Sequence, residues 1–170
     1  MENYKVYTVK FWGLTTIYQF KPCKRLPSFL PISAPLVFAF VNHEIILVKK
    51  QNGWWDVPGG KIEKGETWIQ CLKREAKEEA GIDINQLHII GYILATNSGD
   101  TYLTQFPPQN ILPIAISRVE CLPQVWIKHE TLERRSFTLD NAKKVLLARQ
   151  DNGQLAEILD YIVADYARFI

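Results

Sequence analysis

Apolar residues recur along this chain with two different periods, and each period predicts its own kind of element. Residues 4–11 alternate through Tyr4, Val6 and Thr8 and then shift by one at Val9 and Phe11, while residues 14–20 are rich in β-branched and aromatic side chains. Two strands meeting near Gly13 are expected. Pro22, Pro27, Pro31 and Pro35 exclude helix over the next stretch and mark a connection, whose Lys21, Lys24 and Arg25 read as solvated loop cations, with contact to phosphates as the alternative. The apolar runs 36–41 and 44–49 flank Asn42-His43 and read as a buried hairpin, so His43 is a turn residue and not a ligand. Gln51-Asn52-Gly53 makes the following turn, and Trp54 to Val57 leads into Pro58-Gly59-Gly60.

At Trp68 the period lengthens. Ile69, Leu72, Ala76 and Ala80 recur at helical spacing, Thr67 and Gln70 form a capping box and Gly81 supplies a stop, which predicts a helix over 68–80. A strand over 87–95 follows, then a polar loop over 96–108 with Asn97, Ser98, Gly99, Asp100 and Tyr102. Two further strands are expected at 111–119 and 124–127. The chain closes with a helix over 137–149 capped by Thr138 and another over 154–169. In the latter, Leu155, Ile158, Leu159, Ile162, Val163 and Tyr166 form an amphipathic stripe that reads as core, not as a membrane anchor. Strands interleaved with one central and two late helices fit an α/β chain in which a mixed sheet lies between helices.

The central helix carries the chemistry. Glu75 precedes Glu78 and Glu79 by three and four residues, so the three carboxylates project from one face. Charges on a helix are usually a solvated face, and a pair such as Arg74 and Glu78 contributes only about 0.3–0.5 kcal/mol. Glu78 and Glu79, however, occupy the last turn, where the macrodipole makes each acid unfavourable by roughly 0.3–1 kcal/mol. Local conflicts of this kind cluster at functional sites. A hard divalent cation with oxygen ligands, Mg²⁺ or Mn²⁺, would supply the missing counter-charge. The glycines at 59 and 60 let the backbone come close to such a ligand.

The stretch 60–82, GKIEKGETWIQCLKREAKEEAGI, resembles the Nudix box. It supplies Gly60, Glu66, Arg74, Glu75, Ala76, Glu78, Glu79, Gly81 and Ile82 without a departure from that pattern. A match at so many spaced positions is far more specific than a lone glycine motif, and Trp55-Asp56-Val57-Pro58-Gly59 is similar to the family's usual approach to the box. The resemblance implies a Nudix fold, an α/β/α sandwich formed as a single domain over 1–170. Its core would cover about 33–150, with an N-terminal strand extension over 1–32 and a C-terminal helix over 154–169. It also implies Mg²⁺- or Mn²⁺-dependent hydrolysis of a nucleoside diphosphate linked to another moiety. Glu75, Glu78 and Glu79 match the family's metal-binding and catalytic acids, one of them serving as general base, and the Gly60 carbonyl would complete the metal shell. Arg74 would orient a carboxylate through its planar fork, and Glu66 would be a supporting acid. Family members also recruit an acid from a later strand or loop; Glu120, closing the strand over 111–119, is the first choice for that metal ligand, with Asp100 and Glu130 as alternatives.

Composition narrows the picture further. With 47% hydrophobic and 22% charged residues the chain is of ordinary globular make-up, and a net charge of +2 gives no support for nucleic-acid or acidic-membrane partners. Cys23, Cys71 and Cys121 lack metal-ligand spacing and read mostly as buried thiols. The first ten residues alternate without a signal-like apolar core, and no apolar run approaches the roughly 18 residues that span a bilayer. A cytoplasmic protein acting on a small nucleotide is expected, as monomer or homodimer.

The substrate is approached by exclusion. ADP-ribose-hydrolysing relatives commonly carry a proline, and dinucleoside-polyphosphate relatives a tyrosine, about sixteen residues beyond the box; here Asn97, Ser98 and Gly99 stand there. Trp54 and Tyr102 offer faces on which a base can stack, for about 1–3 kcal/mol, and Asn97 an amide for a base edge, whereas Trp55 reads as core. A nucleoside triphosphate, including one with an oxidised purine as in MutT-like members, cleaved to monophosphate and pyrophosphate, is the expected substrate. The alternatives are an ADP-ribose or nucleotide-sugar pyrophosphatase, a non-catalytic nucleotide sensor, which should have lost box acids, and a structural domain with an accidental box.

Overall fold

The alternation in the apolar hairpin sets the layering of the molecule. The computed structural model describes residues 4–11, 14–98, 107–127, 130–149 and 153–170. Strands β3 (Leu36–Val41) and β4 (Glu44–Lys50) pair antiparallel around Asn42-His43. Both turn residues have positive φ, 48° and 64°, as the hairpin turn that matches strand twist requires. Phe38, Phe40, Ile45 and Leu47 face one side of the sheet, and Val37, Ala39, Val41, Ile46 and Val48 the other. The first set packs on Ala142 and Leu146 of α2 (Leu139–Leu147) and on Leu155, Ile158, Leu159 and Ile162 of α3 (Gln154–Asp165). The second packs on Leu72, Ala76 and Ala80 of α1 (Trp68–Ala80). A sheet with helices on both faces is the expected α/β/α sandwich.

The remaining strands are β1 (Val6–Phe11), β2 (Leu14–Pro22), β5 (Trp55–Asp56), β6 (His88–Ser98), β7 (Gln109–Arg118) and β8 (Thr131–Phe137). They join in the order β1-β2-β6-β7-β3-β4-β5, with β8 also on β4, and β3 and β7 run parallel while every other pair is antiparallel. The arrangement around β4 positions the site. β8 covers one edge from Ile45 to Lys50, while β3 pairs the other edge through Ile46 and β5 takes over at Val48 and Lys49. Beyond Asp56 the chain crosses back to β3, where the Val37 N–H donates to the Pro58 carbonyl at 2.9 Å and Gly59 bridges Leu36. Gly59 and Gly60 are thereby fixed where β3 and β4 part.

Several expectations are corrected. Residues 124–127 form no strand: Val125 and Ile127 are 86% and 78% exposed, and the strand lies further on as β8. β6 continues through Ser98, because Thr15, Thr16 and Ile17 pair with Ser98, Asn97 and Thr96; Asn97 is thus a strand residue and not a loop residue. Thr138 stands at the α2 N-cap but makes no side-chain cap bond, and α2 and α3 end at Leu147 and Asp165. Of the cysteines only Cys71 is buried; Cys23 is half-buried and Cys121 exposed. Among the described residues no helix is long and apolar enough to cross a membrane.

Candidate active site

Helix α1 begins and ends as its local sequence dictates. The Thr67 Oγ1 accepts the Gln70 N–H while the Gln70 side chain accepts the Thr67 N–H, and Gly81 closes the helix in the left-handed conformation at φ 65°. Its C-terminal carbonyls, the source of the unfavourable field on Glu78 and Glu79, are neutralised from β8. The Thr131 hydroxyl donates to the Glu79 carbonyl at 2.9 Å, and the Arg134 guanidinium donates to Ala80 and Pro123 carbonyls while stacking 4.1 Å from the Trp126 ring.

Arg74 organises the acids. It forks onto Glu66, Nε to Oε1 at 3.0 Å and Nη2 to Oε2 at 3.1 Å, and its Nη1 donates to Glu75 at 2.8 Å and to Glu78 at 3.1 Å. A planar guanidinium can serve three carboxylates in this way, whereas an ammonium offers only a point charge. The hydrogen bond from Arg74 holds the Glu66 carboxyl below its ordinary range, and the same contacts raise Arg74. Glu66 is thus hydrogen-bonded to the helix through Arg74. It also accepts the Glu63 N–H at 3.0 Å, which fixes the loop ahead of the helix.

Glu75 and Glu79 lie inward, 8% and 3% exposed. Burial pushes both above the ordinary carboxylate range; Arg74 opposes this at Glu75, and Lys50 with the Gly59 N–H opposes it at Glu79. Lys50, at the end of β4, meets the Glu79 carboxylate directly, and the Gly59 N–H donates to Glu79 Oε2 at 3.1 Å. Gly60 is packed so closely that a Cβ there would stand 2.3 Å from Glu75 Oε1. Its carbonyl accepts the Cys71 thiol at 3.4 Å, and burial pushes that thiol up to about 12.

These groups line an open cavity of about 950 Å³ shared by Lys50, Gly60, Arg74, Glu75, Glu78 and Glu79, with Lys61, Lys64 and Glu130 also in its lining. The predicted box residues are thus brought together. Glu120 is not among them. It lies beyond the end of β7 and lines a separate cavity with Asp83, Asn85 and Gln86; among the described residues, the acid from outside the box that shares the lining of the box cavity is Glu130. Among the described residues no three Asp, Glu, His or Cys side chains stand in a geometry that would hold a metal ion as they are. Arg74 and Lys50 draw the carboxylates toward themselves instead.

Trp54 lies elsewhere, on an aromatic cavity of about 270 Å³ with Tyr18, Asn52, Asp56, Arg149 and Gln154. Asn97 lines neither cavity: it accepts from the Thr16 hydroxyl at 2.9 Å and donates to the Pro107 carbonyl at 2.9 Å, so its amide serves to pin strand ends. Tyr102 and Asp100 fall outside the described residues. Trp55 is half-buried edge-on to Phe137 at 4.8 Å, against the core as expected. The residues missed by sequence reasoning are Lys50, Asp56, Arg149 and Gln154. For Lys50 a signal existed, since Ile46, Val48 and Lys50 alternate onto the face that meets α1.

The NUDIX domain model matches residues 31–160, most of the chain and all of this site. The chain belongs to the Nudix family. Relatives similar to this Nudix chain include an 8-oxo-dGTP diphosphatase of Proteus vulgaris, 38% identical over 38% of this chain and 50% of that protein. An oxidized purine nucleoside triphosphate hydrolase of Danio rerio is 36% identical over 40% and 46%. A bis(5′-nucleosyl)-tetraphosphatase (asymmetrical) of Sus scrofa is 47% identical over 28% and 33%. The chain thus spans half or less of the length of these curated relatives. Among solved structures, a Bacillus subtilis pyrophosphohydrolase superposes with a TM-score of 0.67 at 17% identity, covering 90% of this chain and 91% of that one; at that identity the likeness concerns the fold.

Proposed function

We propose that this Nudix chain is a divalent-metal-dependent pyrophosphohydrolase acting in the cytoplasm on a nucleoside triphosphate, including one with an oxidised purine, and releasing the monophosphate and pyrophosphate. One observation carries the reading. Two ion-paired groups, Arg74 with Glu66, Glu75 and Glu78 and Lys50 with Glu79, hold four carboxylates against two cations, and Glu75, Glu78 and Glu79 line a cavity open to a ligand, the first and last of them buried. A hard cation suits this donor set, and the lack of a Cβ at Gly60 lets the Glu75 carboxylate lie directly against that backbone. Glu75, Glu78, Glu79 and the Gly60 carbonyl would hold the metal, with Glu130 the acid available from outside the box. When bound, Mg²⁺ or Mn²⁺ supplies neutralisation of phosphate oxygens and a lowered pKa for water.

The chain's own residues do the rest. Arg74 tethers Glu75 and Glu78 through one guanidinium nitrogen, which keeps both acids on the side of the cavity where the phosphates would lie. Lys61 and Lys64, in the same lining, place cations where a polyphosphate enters. One of the three box acids takes the proton of the attacking water. The aromatic cavity at Trp54 is the place for the base. Asp56 lines that cavity and Gly59 the carboxylate cavity, and three residues of chain span at most about 10 Å, within reach of one nucleotide.

The similarity to the Sus scrofa tetraphosphatase makes a dinucleoside polyphosphate the second reading. A turnover panel of triphosphates, dinucleoside polyphosphates, ADP-ribose and nucleotide sugars, with Mg²⁺ and with EDTA, tests both. The expected result is metal-dependent pyrophosphate release with highest kcat/KM on a triphosphate, lowered at least ~100-fold in Glu79→Gln. A clear preference for ADP-ribose, a nucleotide sugar or a dinucleoside polyphosphate refutes the substrate, and near-native turnover by folded Glu79→Gln refutes the mechanism.

A further inference from the structure

Gln154 opens α3 directly after Gly153, whose left-handed backbone (φ 94°) turns the chain into the helix. Only 3% of the residue is exposed, it lines the aromatic cavity, and its side-chain Nε2 has no hydrogen-bond partner. Folded chains retain few buried donors of this kind, because a donor removed from water without an acceptor opposes folding. The neighbouring polar groups are already engaged. Asp56 accepts the Val57 N–H at 2.8 Å on Oδ1 and meets Arg149 on Oδ2, and Asn52 Oδ1 accepts the Trp54 N–H at 3.0 Å. Among the described residues lining this cavity, the buried side-chain polar atom left unmatched is thus a donor, on a residue that shares the lining with Trp54, Tyr18 and Leu155.

We propose that Gln154 is a specificity-determining residue: its Nε2–H donates to the exocyclic carbonyl of a base seated against Trp54, so that the chain selects guanine and uracil over adenine and cytosine. This rests on the nucleotide reading above and deepens it. Guanine and uracil present a carbonyl acceptor at the edge where adenine and cytosine present an amino donor. An amino group there meets Gln154 donor to donor, and both stay unpaired. A site with a buried polar group discriminates in this way far better than an apolar pocket can.

The test compares kcat/KM for GTP against ATP and for UTP against CTP, together with calorimetric binding of GMP and AMP to the full chain. The carbonyl base is expected to lead by roughly 10- to 100-fold in each pair. Gln154→Met, of equal length without the donor, should bring both ratios to within about threefold of unity. It should also raise the thermal midpoint of the nucleotide-free chain, because the unmatched donor is gone; a glutamine with a merely structural role would lower it. Gln154→Glu, carrying acceptors only, should favour adenine. Equal or adenine-favouring affinity in the wild-type chain, an unchanged ratio in Gln154→Met, or a lowered midpoint in that variant overturns the proposal. The GMP to AMP ratio decides the matter without turnover, so a chain that binds both equally while hydrolysing triphosphates refutes the role of Gln154 alone. Absence of any nucleotide turnover refutes the hydrolase reading as well.

Discussion

Adjacent glycines at 59 and 60 should fail in opposite ways when each is given a methyl group. At Gly60 a Cβ would stand 2.3 Å from Glu75 Oε1, 2.5 Å from Cδ and 2.8 Å from Oε2. Carbon and oxygen need more than 3 Å, so the carboxylate must retreat by about 1 Å. Glu75 can retreat, being the far end of a side chain, at the cost of its 2.8 Å bond to Arg74, and alanine recovers about 0.4–1 kcal/mol by restricting the unfolded chain. Net stability should therefore change by no more than about 1 kcal/mol. A 1 Å displacement of a positioned group, by contrast, costs about 100-fold in turnover. At Gly59 the Cβ would meet the Pro35 carbonyl oxygen at 2.4 Å and Leu36 Cδ2 at 2.7 Å. These belong to the crossing that joins the loop to β3, where the Val37 to Pro58 bond must open. Overpacking with a lost backbone bond should cost about 2–4 kcal/mol, or roughly 5–15 °C in thermal midpoint for a chain of this size. Thermal denaturation in EDTA, Mg²⁺ affinity by calorimetry and kcat/KM would be measured for both alanine variants. Equal midpoint shifts, or Gly60→Ala with native turnover and native metal affinity, would refute the reasoning.

Two further outcomes follow from the same geometry. Because burial raises the folded pKa of Glu79, its contribution to the metal-free chain is fully present below the ordinary carboxylate pKa of about 4.5 and is lost as pH rises through the folded value; Glu66, lowered by Arg74, has the opposite sign and loses its contribution as pH falls below about 4.5. In EDTA the wild-type thermal midpoint should thus decline relative to Glu79→Gln as pH is raised from 4.5, and parallel curves would show that the burial argument is wrong. Arg74→Lys keeps the charge but loses the fork onto Glu66 and the shared Nη1; turnover should fall by tenfold or more with a thermal loss of a few degrees, and native kinetics in that variant would show that the acids need no common anchor.

What could be read from the sequence depended on how local the cause was. Helix α1 was legible to the residue, because Thr67, Gln70 and Gly81 form their caps within a turn of chain, and the spacing of its acids fixes which face they share. β8 was not legible. Thr131 to Phe137 carries Glu133, Arg134 and Arg135, and it becomes a strand only because β4 offers an open edge far away in sequence. The opposite error, at 124–127, arose from alternation without a partner: Val125 and Ile127 remain exposed and Trp126 turns under Arg134 instead. Glu120 stands out in the sequence by closing a strand, yet strand direction decides which end of the sheet an acid reaches. β7 runs parallel to β3, whose first residue Leu36 bridges Gly59, so the residues after Arg118 emerge at the far end.

The electrostatic conflict that singled out Glu78 and Glu79 is resolved in two separate parts. The helix-end field is answered by Thr131 and Arg134, which donate to the terminal backbone carbonyls of Glu79 and Ala80. The carboxylates themselves are answered by Arg74 and by Lys50, which arrives on the face that β4 shares with Ile46 and Val48. A metal entering this cavity therefore does not meet bare acids. It must draw Glu79 from an ammonium and Glu75 and Glu78 from one guanidinium nitrogen. Lys50 holds one carboxylate and can follow a phosphate away from it, whereas Arg74, equally exposed, stays pinned by its two bonds to Glu66. The fixed cation thus keeps the geometry of the acids while the movable one is free to exchange partners, and it is this division that lets a site built from like charges stay folded before its ligands arrive.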